Sequence, residues 1–264
     1  MQISIEAHNI SVRYAQKPVL WEIDFHLPMG KIIGILGSNG SGKTTLLKSI
    51  LGLLPTESGY IQVFGKPIAE VLNKIAYIPQ KTSIDWDFPA SVMDVVLMAR
   101  YNPKKWFFRY SQADKNMAAQ CLQKVNMLEF ANRHISELSG GQQQRVFMAR
   151  ALAQEAELYL LDEPFVGIDT TTEEVIWHLL KDLRNQGKTV VLVHHDLQSV
   201  EKNMDYLLLL NTRLVAAGET AHVFNAENLR ATFGGQLPIL EQLAERIRLD
   251  KLPLREQDFQ DRQV

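Results

Sequence analysis

The stretch Lys31-Ile32-Ile33-Gly34-Ile35-Leu36-Gly37-Ser38-Asn39-Gly40-Ser41-Gly42-Lys43-Thr44 decides how this chain is built. Pro28-Met29-Gly30 turns the chain into its first six residues, a short apolar run that reads as a buried strand. Gly37 to Thr44 fit the pattern G-x-x-x-x-G-K-[ST], and a helix opens at Lys43 and runs to Leu51. Glycines let backbone N–H groups close around phosphate oxygens, and a helix N-terminus adds a favourable dipole. Strand, glycine loop and helix in that order make a phosphate cradle. Lys43 can reach the β- and γ-phosphates of a nucleotide, and the Thr44 hydroxyl can ligate Mg²⁺.

Upstream, Trp21, Ile23, Phe25 and Leu27 alternate with Glu22, Asp24 and His26, the period-2 pattern of a half-buried strand with His26 on its polar face. Downstream, Tyr60 to Phe64 and Ile75 to Ile78 read as strands. Residues 81 to about 150 turn helical in character, rich in Met, Ala, Gln and Lys. The core then resumes with Leu158 to Leu161 as a buried strand. Glu173 to Gln186 follows as a helix with Thr172 as its cap and Gly187 at its end, and Thr189 to Val193 is a further strand. Alternating strands and helices imply an α/β fold with a mainly parallel sheet covered by helices on both faces, the helical stretch being an insertion.

A second glycine loop, Leu138-Ser139-Gly140-Gly141-Gln142, stands ahead of a helical run from Gln143 to about Gln154. Asp162 ends the apolar strand Leu158-Tyr159-Leu160-Leu161, and Glu163 follows directly. Neighbouring strand residues point to opposite sides, so adjacent acids at a strand end can take different roles. Asp162 would hold the metal, and Glu163 would polarise an attacking water.

These motifs resemble the ATP-binding cassette (ABC) family over residues 1 to about 225. The resemblance implies a RecA-like P-loop NTPase core with a mainly parallel sheet, an antiparallel β subdomain and an α-helical subdomain inserted at about 81–150. Residues 226–264 are left as a C-terminal helical extension and tail. It implies ATP and Mg²⁺ as cofactors, with ATP held by Tyr14, which stacks on adenine, and by Gly37, Ser38, Asn39, Gly40, Ser41, Gly42, Lys43, Thr44 and Thr45. Glu163, Gln80 and His195 take the catalytic positions. Gln80 matches the family's Q-loop and His195 its switch histidine, while His194 beside it reads as structural. Thr44, Gln80 and Asp162 are the magnesium positions. Ser139, Gly140, Gly141 and Gln142 would act in trans on the ATP of a partner subunit. Asp169 of Gly167-Ile168-Asp169 would lie at the dimer interface, although the commoner family form has a small or apolar residue where Gly167 stands.

Composition narrows the setting. The 264 residues are 46% apolar, enough for a sizeable core, and the net charge of −2 argues against a nucleic-acid partner. The single cysteine, Cys121, reads as a small buried apolar residue in a helix and fits a reducing cytoplasm. No run approaches the ~20 apolar residues that span a bilayer, and the N-terminus has no signal-peptide pattern. Aromatics and bases interleave between Lys81 and Tyr110, as in Lys104-Lys105-Trp106-Phe107-Phe108-Arg109, which suits a docking groove or a surface near lipid headgroups, and equally core packing of the helical insertion with a solvated basic face. In the family this region borders the groove that receives a permease's coupling helix.

The segments Asp85-Trp86-Asp87-Phe88-Pro89 and Val96-Leu97-Met98-Ala99-Arg100-Tyr101 resemble those of ATPases serving manganese, zinc and iron importers. The histidines at 8, 26, 134, 178, 194, 195 and 222 show no H-x-x-x-H or Cys/His spacing, so cargo selectivity would belong to partner proteins. After Gly234-Gly235, Leu237, Leu240, Leu243 and Ile247 form a short apolar stripe, to pack on the core or on a twin subunit, with fraying expected from Lys251 on.

The reading is an ATPase subunit working as a pair, with an identical copy as partner, on the cytoplasmic face of an integral membrane permease. A substrate-binding protein would be an indirect partner, and the cargo is manganese or iron ahead of zinc. The rivals are the same engine on an importer of siderophores or other solutes, or on an exporter, and, in another class, a soluble cassette acting on DNA or the ribosome.

Overall fold

Two sheets share the work of placing the loops. The computed structural model describes residues 2–14, 17–84, 86, 88–101 and 110–234. Strands β1 (Ile3–Tyr14), β2 (Lys17–Pro28) and β4 (Ser58–Val63) form an antiparallel sheet in the order β2-β1-β4. Its inner face carries Ile5, Ala7, Ile23, Phe25 and Leu27 into the core, and its outer face carries Glu6, His8, Asp24 and His26. Glu6 lies directly opposite His26 on β2 and Gln62 on β4, and His8 lies opposite Tyr60.

The second sheet takes β3 (Ile32–Leu36), β5 (Ile75–Ile78), β6 (Leu158–Asp162), β7 (Thr189–Val193), β8 (Tyr206–Asn211) and β9 (Arg213–Glu219) in the order β5-β6-β7-β3-β8-β9. All neighbours run parallel except the β8–β9 hairpin. Every residue of β3, β6 and β7 is buried, as strands covered on both faces must be. Alternation along them feeds two separate cores. Ile33, Ile35, Leu158, Leu160, Val191 and Val193 pack with helix α1 (Lys43–Ile50) and the antiparallel sheet. Ile32, Leu36, Tyr159, Leu161, Val190 and Leu192 face the other way, into the core that holds the longer helices.

After the short α2 (Ile68–Val71), the inserted segment carries α3 (Val92–Leu97), α4 (Gln112–Lys124) and α5 (Gly140–Ala153), each opened by a reciprocal capping box. The pairs are Ser91 with Asp94, Ser111 with Asp114, and Ser139 with Gln142. Arg100 ties the insertion together, donating to Asp114 (3.3 Å), to the Ala153 carbonyl at the end of α5 (3.0 Å) and to Glu155 (2.7 Å). Hydrogen bonds from Ser111, and then Arg100, hold the Asp114 carboxyl down at about 2. Cys121 is buried in α4.

Helix α6 (Thr170–Asn185) precedes β7; α7 (Val200–Asn203) and α8 (Thr220–Val223) are single turns. Helix α9 (Ala226–Phe233) packs on the core through the buried Leu229, and the Asn211 amide reaches its Ala231 carbonyl.

Two helix starts correct the sequence reading. The glycines at 140 and 141 belong to the first turn of α5, so the second "loop" is a capped helix start and the helix begins three residues before Gln143. Helix α6 is capped by Asp169, whose side chain accepts from the Thr172 amide, whereas Thr172 lies inside the helix. Asp85, Asp87, the basic–aromatic run 102–109 and the apolar stripe at 237–247 lie outside the described residues. Among the described residues no helix is long and apolar enough to cross a membrane.

Candidate functional site

Parallel strands collect their following loops at one edge, and the site forms there. The loop after β3 brings Lys43 and Thr44, the end of β6 brings Asp162 and Glu163, and the end of β5 brings Gln80. A cavity of about 400 Å³ opens among them, lined by Val19, Asn39, Gly40, Gly42, Lys43, Thr44, Thr45, Gln80 and Glu163. Gly37 at the loop's start has no room for a side chain, because a Cβ would collide with the Leu210 carbonyl and the Ser41 hydroxyl.

The Lys43 ammonium, only 6% exposed, donates to the carbonyls of Gly37 and Ser38 at 2.9 Å each, which fixes it across the loop. Burial lowers its pKa, while Glu163 and Asp162 pull it back up. Asp162 is 1% exposed; its Oδ1 accepts from the Thr44 hydroxyl at 3.0 Å, and its Oδ2 is buried with no hydrogen-bond partner. Burial pushes this carboxyl up, against the Thr44 hydrogen bond and the charges of Lys48 and Lys43. An orphaned carboxylate oxygen beside a hydroxyl is the donor set of a small hard cation, so these two residues fit one.

Glu163 leaves the strand with a φ of 53°, the left-handed region that a non-glycine residue adopts at a cost. This turn, rather than simple strand alternation, separates its carboxylate from that of Asp162. Glu163 Oε2 accepts from the Gln80 amide at 2.8 Å. Water-polarising carboxylate and neutral amide thus meet at the cavity wall.

The loop after β7 carries two histidines. His195 is exposed, while His194 is buried, with Nε2 2.6 Å from the Ser199 hydroxyl and the rings of Phe165 and Trp177 edge-on to it. Burial depresses His194 to about 4, so it is a neutral wedge at physiological pH.

Tyr14, the last residue of β1, is 49% exposed and does not line the cavity; Val19 does, a residue the sequence did not single out. None of Ser139, Gly140, Gly141 and Gln142 lines it either. Gly141 instead packs against Asp169 and Thr172: a Cβ there would lie 3.1 Å from a carboxylate oxygen of the one and the hydroxyl of the other. Asp169 spends both carboxylate oxygens on Thr172, one on its amide (2.9 Å) and one on its hydroxyl (2.8 Å), and the amide bond heads the causes that lower its pKa.

A cradle of this form at the carboxyl edge of a parallel sheet, with an acid pair opposite, defines a P-loop nucleotide-binding protein of the α/β class. The chain belongs to the ABC transporter family, whose model matches residues 20–166, more than half of its length. It is accordingly an ATP-binding ATPase subunit.

It is 52% identical over 237 residues to the manganese transport system ATP-binding protein MntB of Bacillus subtilis (strain 168), covering 90% of this chain and 95% of that one. It is 48% identical over 234 residues to the zinc transport system ATP-binding protein TroB of Treponema pallidum (strain Nichols), covering 89% and 88%. Among solved structures it resembles an ABC transporter assigned to the metal-chelate type, in an inward-facing conformation. The TM-score there is 0.77 at 33% identity, over 88% of this chain and 89% of that one.

Proposed function

We propose that this chain is the ATP-hydrolysing subunit of a membrane importer for a divalent transition metal. In this reading it works as a pair on the cytoplasmic side of a permease, with a substrate-binding protein as an indirect partner. The observation that carries the engine is the convergence on one cavity of Lys43, Thr44 with Asp162 bonded to it, and the Gln80–Glu163 pair. Relatives named for manganese and zinc carry the cargo; iron, ranked ahead of zinc from the sequence, is not in the names of those two relatives. The cassette runs to about residue 225 with its insertion at 81–150, and 226–264 form an extension whose first helix packs on the core.

The loop from Gly37 to Thr45 holds the phosphates of ATP, with Lys43 on the β and γ groups and Tyr14 against the adenine. Thr44 and Asp162, with Gln80 beside them, would hold Mg²⁺, which when bound neutralises charge on the phosphates. Glu163 takes the proton of the attacking water, and the Gln80 amide keeps its carboxylate aimed. His195, exposed beyond β7, contacts the γ-phosphate. The start of α5 lies apart from its own chain's cavity, which supports action of Ser139 to Gln142 on the ATP of a second copy, with Asp169 near the dimer interface. ATP closes the pair and hydrolysis releases it, a two-state switch run by γ-phosphate contacts.

Glu163→Gln tests this. The amide keeps the shape and can still accept from Gln80, yet cannot take a proton, so turnover falls at least about 100-fold while ATP binding persists. With the glue uncleaved, this variant runs as a dimer in size-exclusion chromatography with saturating Mg-ATP. A monomer there overturns the paired mechanism.

A further inference from the structure

The outer face of the antiparallel sheet holds a cluster that no sequence spacing announces. Glu6 and His8 sit two apart on β1 and so share a face, and His26 on β2 is paired directly across from Glu6. One ligand atom from each of the three lies within 4.8 Å of the other two. His8 Nε2 is 3.6 Å from Glu6 Oε2, and the two imidazoles meet edge-to-face with centroids 5.4 Å apart. Tyr60 stacks on the His8 ring at 4.7 Å, which restrains its orientation, and Gln62 faces Glu6 from β4.

We propose that Glu6, His8 and His26 bind a first-row divalent transition-metal ion. Metal–ligand bonds of roughly 2.0–2.2 Å put neighbouring ligand atoms about 3–3.5 Å apart, so atoms already within 4.8 Å of one another have only about 1–2 Å left to close. Three Cα positions held in a hydrogen-bonded sheet lower the ordering cost of assembling the ligands. Two imidazoles and one carboxylate suit zinc, iron or manganese and leave remaining positions to water. Zn²⁺ binds more tightly than Mn²⁺ at such a nitrogen–oxygen set. Among the described residues the exposed pair His222–Glu219 lacks a third ligand and serves as a control. The site is on the opposite side of the sheet from the core that α1 packs into, and it stands whatever cargo the permease carries.

The test titrates Zn²⁺ against a chromophoric chelator, using the full chain without a histidine tag and with the nucleotide site saturated by Mg-ADP. Wild-type protein and His222→Ala are expected to bind one equivalent with equal affinity. His8→Ala/His26→Ala is expected to bind at least tenfold more weakly, and Glu6→Gln to weaken binding with the stoichiometry kept. Mn²⁺ repeats the pattern at lower affinity. Circular dichroism melts and ATPase rates, unchanged in the double variant, establish that it is folded. Zn²⁺ binding by the wild type no tighter than by the double variant overturns the proposal.

Discussion

His194 and His195 differ by one position at the end of β7 and by nearly everything else. His194 is 2% exposed, wedged between Phe165, Trp177 and Ser199, and depressed to about 4; His195 is exposed. Between pH 6.5 and 4 the unfolded chain protonates this histidine and the folded one does not, so stability drops as pH falls through that window. The loss from this residue between pH 7 and 5 is about 1–2 kcal/mol, read from urea denaturation at the two values. His194→Gln, which can still bond Ser199, is less stable at pH 7 but has a flatter dependence; an equally steep one would assign the slope to other groups.

The acid pair stood out because Asp162 and Glu163 are adjacent and end an apolar run, whereas a lone Gln80 is a weak signal that only the family resemblance raised. What was not legible is the left-handed turn that sends Glu163 toward Gln80, since no residue type marks it. Glu6, His8 and His26 escaped for a different reason. Their meeting depends on the register of β1 against β2, through several irregularities, and a linear spacing does not encode register.

At the scale of elements, strands were easier to find than helix starts. The all-buried Thr189–Val193 matches the expectation residue for residue, and β3 and β6 match to within one, because burial on both faces leaves a nearly unbroken apolar signature. Helices α5 and α6 were each entered three residues late. The glycines at 140 and 141 looked like a loop, yet Ser139 and Gln142 spell a capping box that outweighs their weak helix propensity. This separates two roles of Ser139 experimentally. Ser139→Ala removes the cap and lowers stability by about 1 kcal/mol in thermal melts. On the proposed pairing, Ser139→Arg is expected to leave ATP bound to its own phosphate loop and to cripple hydrolysis, because the bulky cation would obstruct the partner's γ-phosphate. Mixed with Lys43→Ala subunits, which bind nucleotide weakly, it restores at most one working site per dimer. Full ATPase activity of Ser139→Arg alone would refute a trans-acting α5 start.

For the whole molecule, the alternation of strands and helices foretold a mainly parallel sheet, but not its order. Placing β3 between β7 and β8 is a long-range choice, set by which apolar faces fit, and local sequence does not record it. The antiparallel sheet and α1 share one face of the core, so "helices on both faces" holds with β structure added. Function at this scale belongs to the assembly. Deleting the chain is expected to lower the cell's content of manganese, zinc or iron, measured by elemental mass spectrometry, and to slow growth under chelation until that metal is restored. Unchanged metal contents with lost uptake of an organic solute would remove the metal assignment and leave the ATPase standing.

Asp169 closes the account at a joint between elements. Its carboxylate caps α6 and also faces Gly141 in the first turn of α5, where an added Cβ would lie 3.1 Å from one of its oxygens. The two helix starts therefore mesh with little room for a side chain between them, Gly141 facing both the Asp169 carboxylate and the Thr172 hydroxyl. A subunit pair closing on ATP would feel a single stiff lever made of both starts, and lengthening the tooth by one methylene, Asp169→Glu, would jam it. Slowed turnover with ATP affinity retained is the mark of a jam; a turnover equal to wild type would mean the two helices move freely of each other.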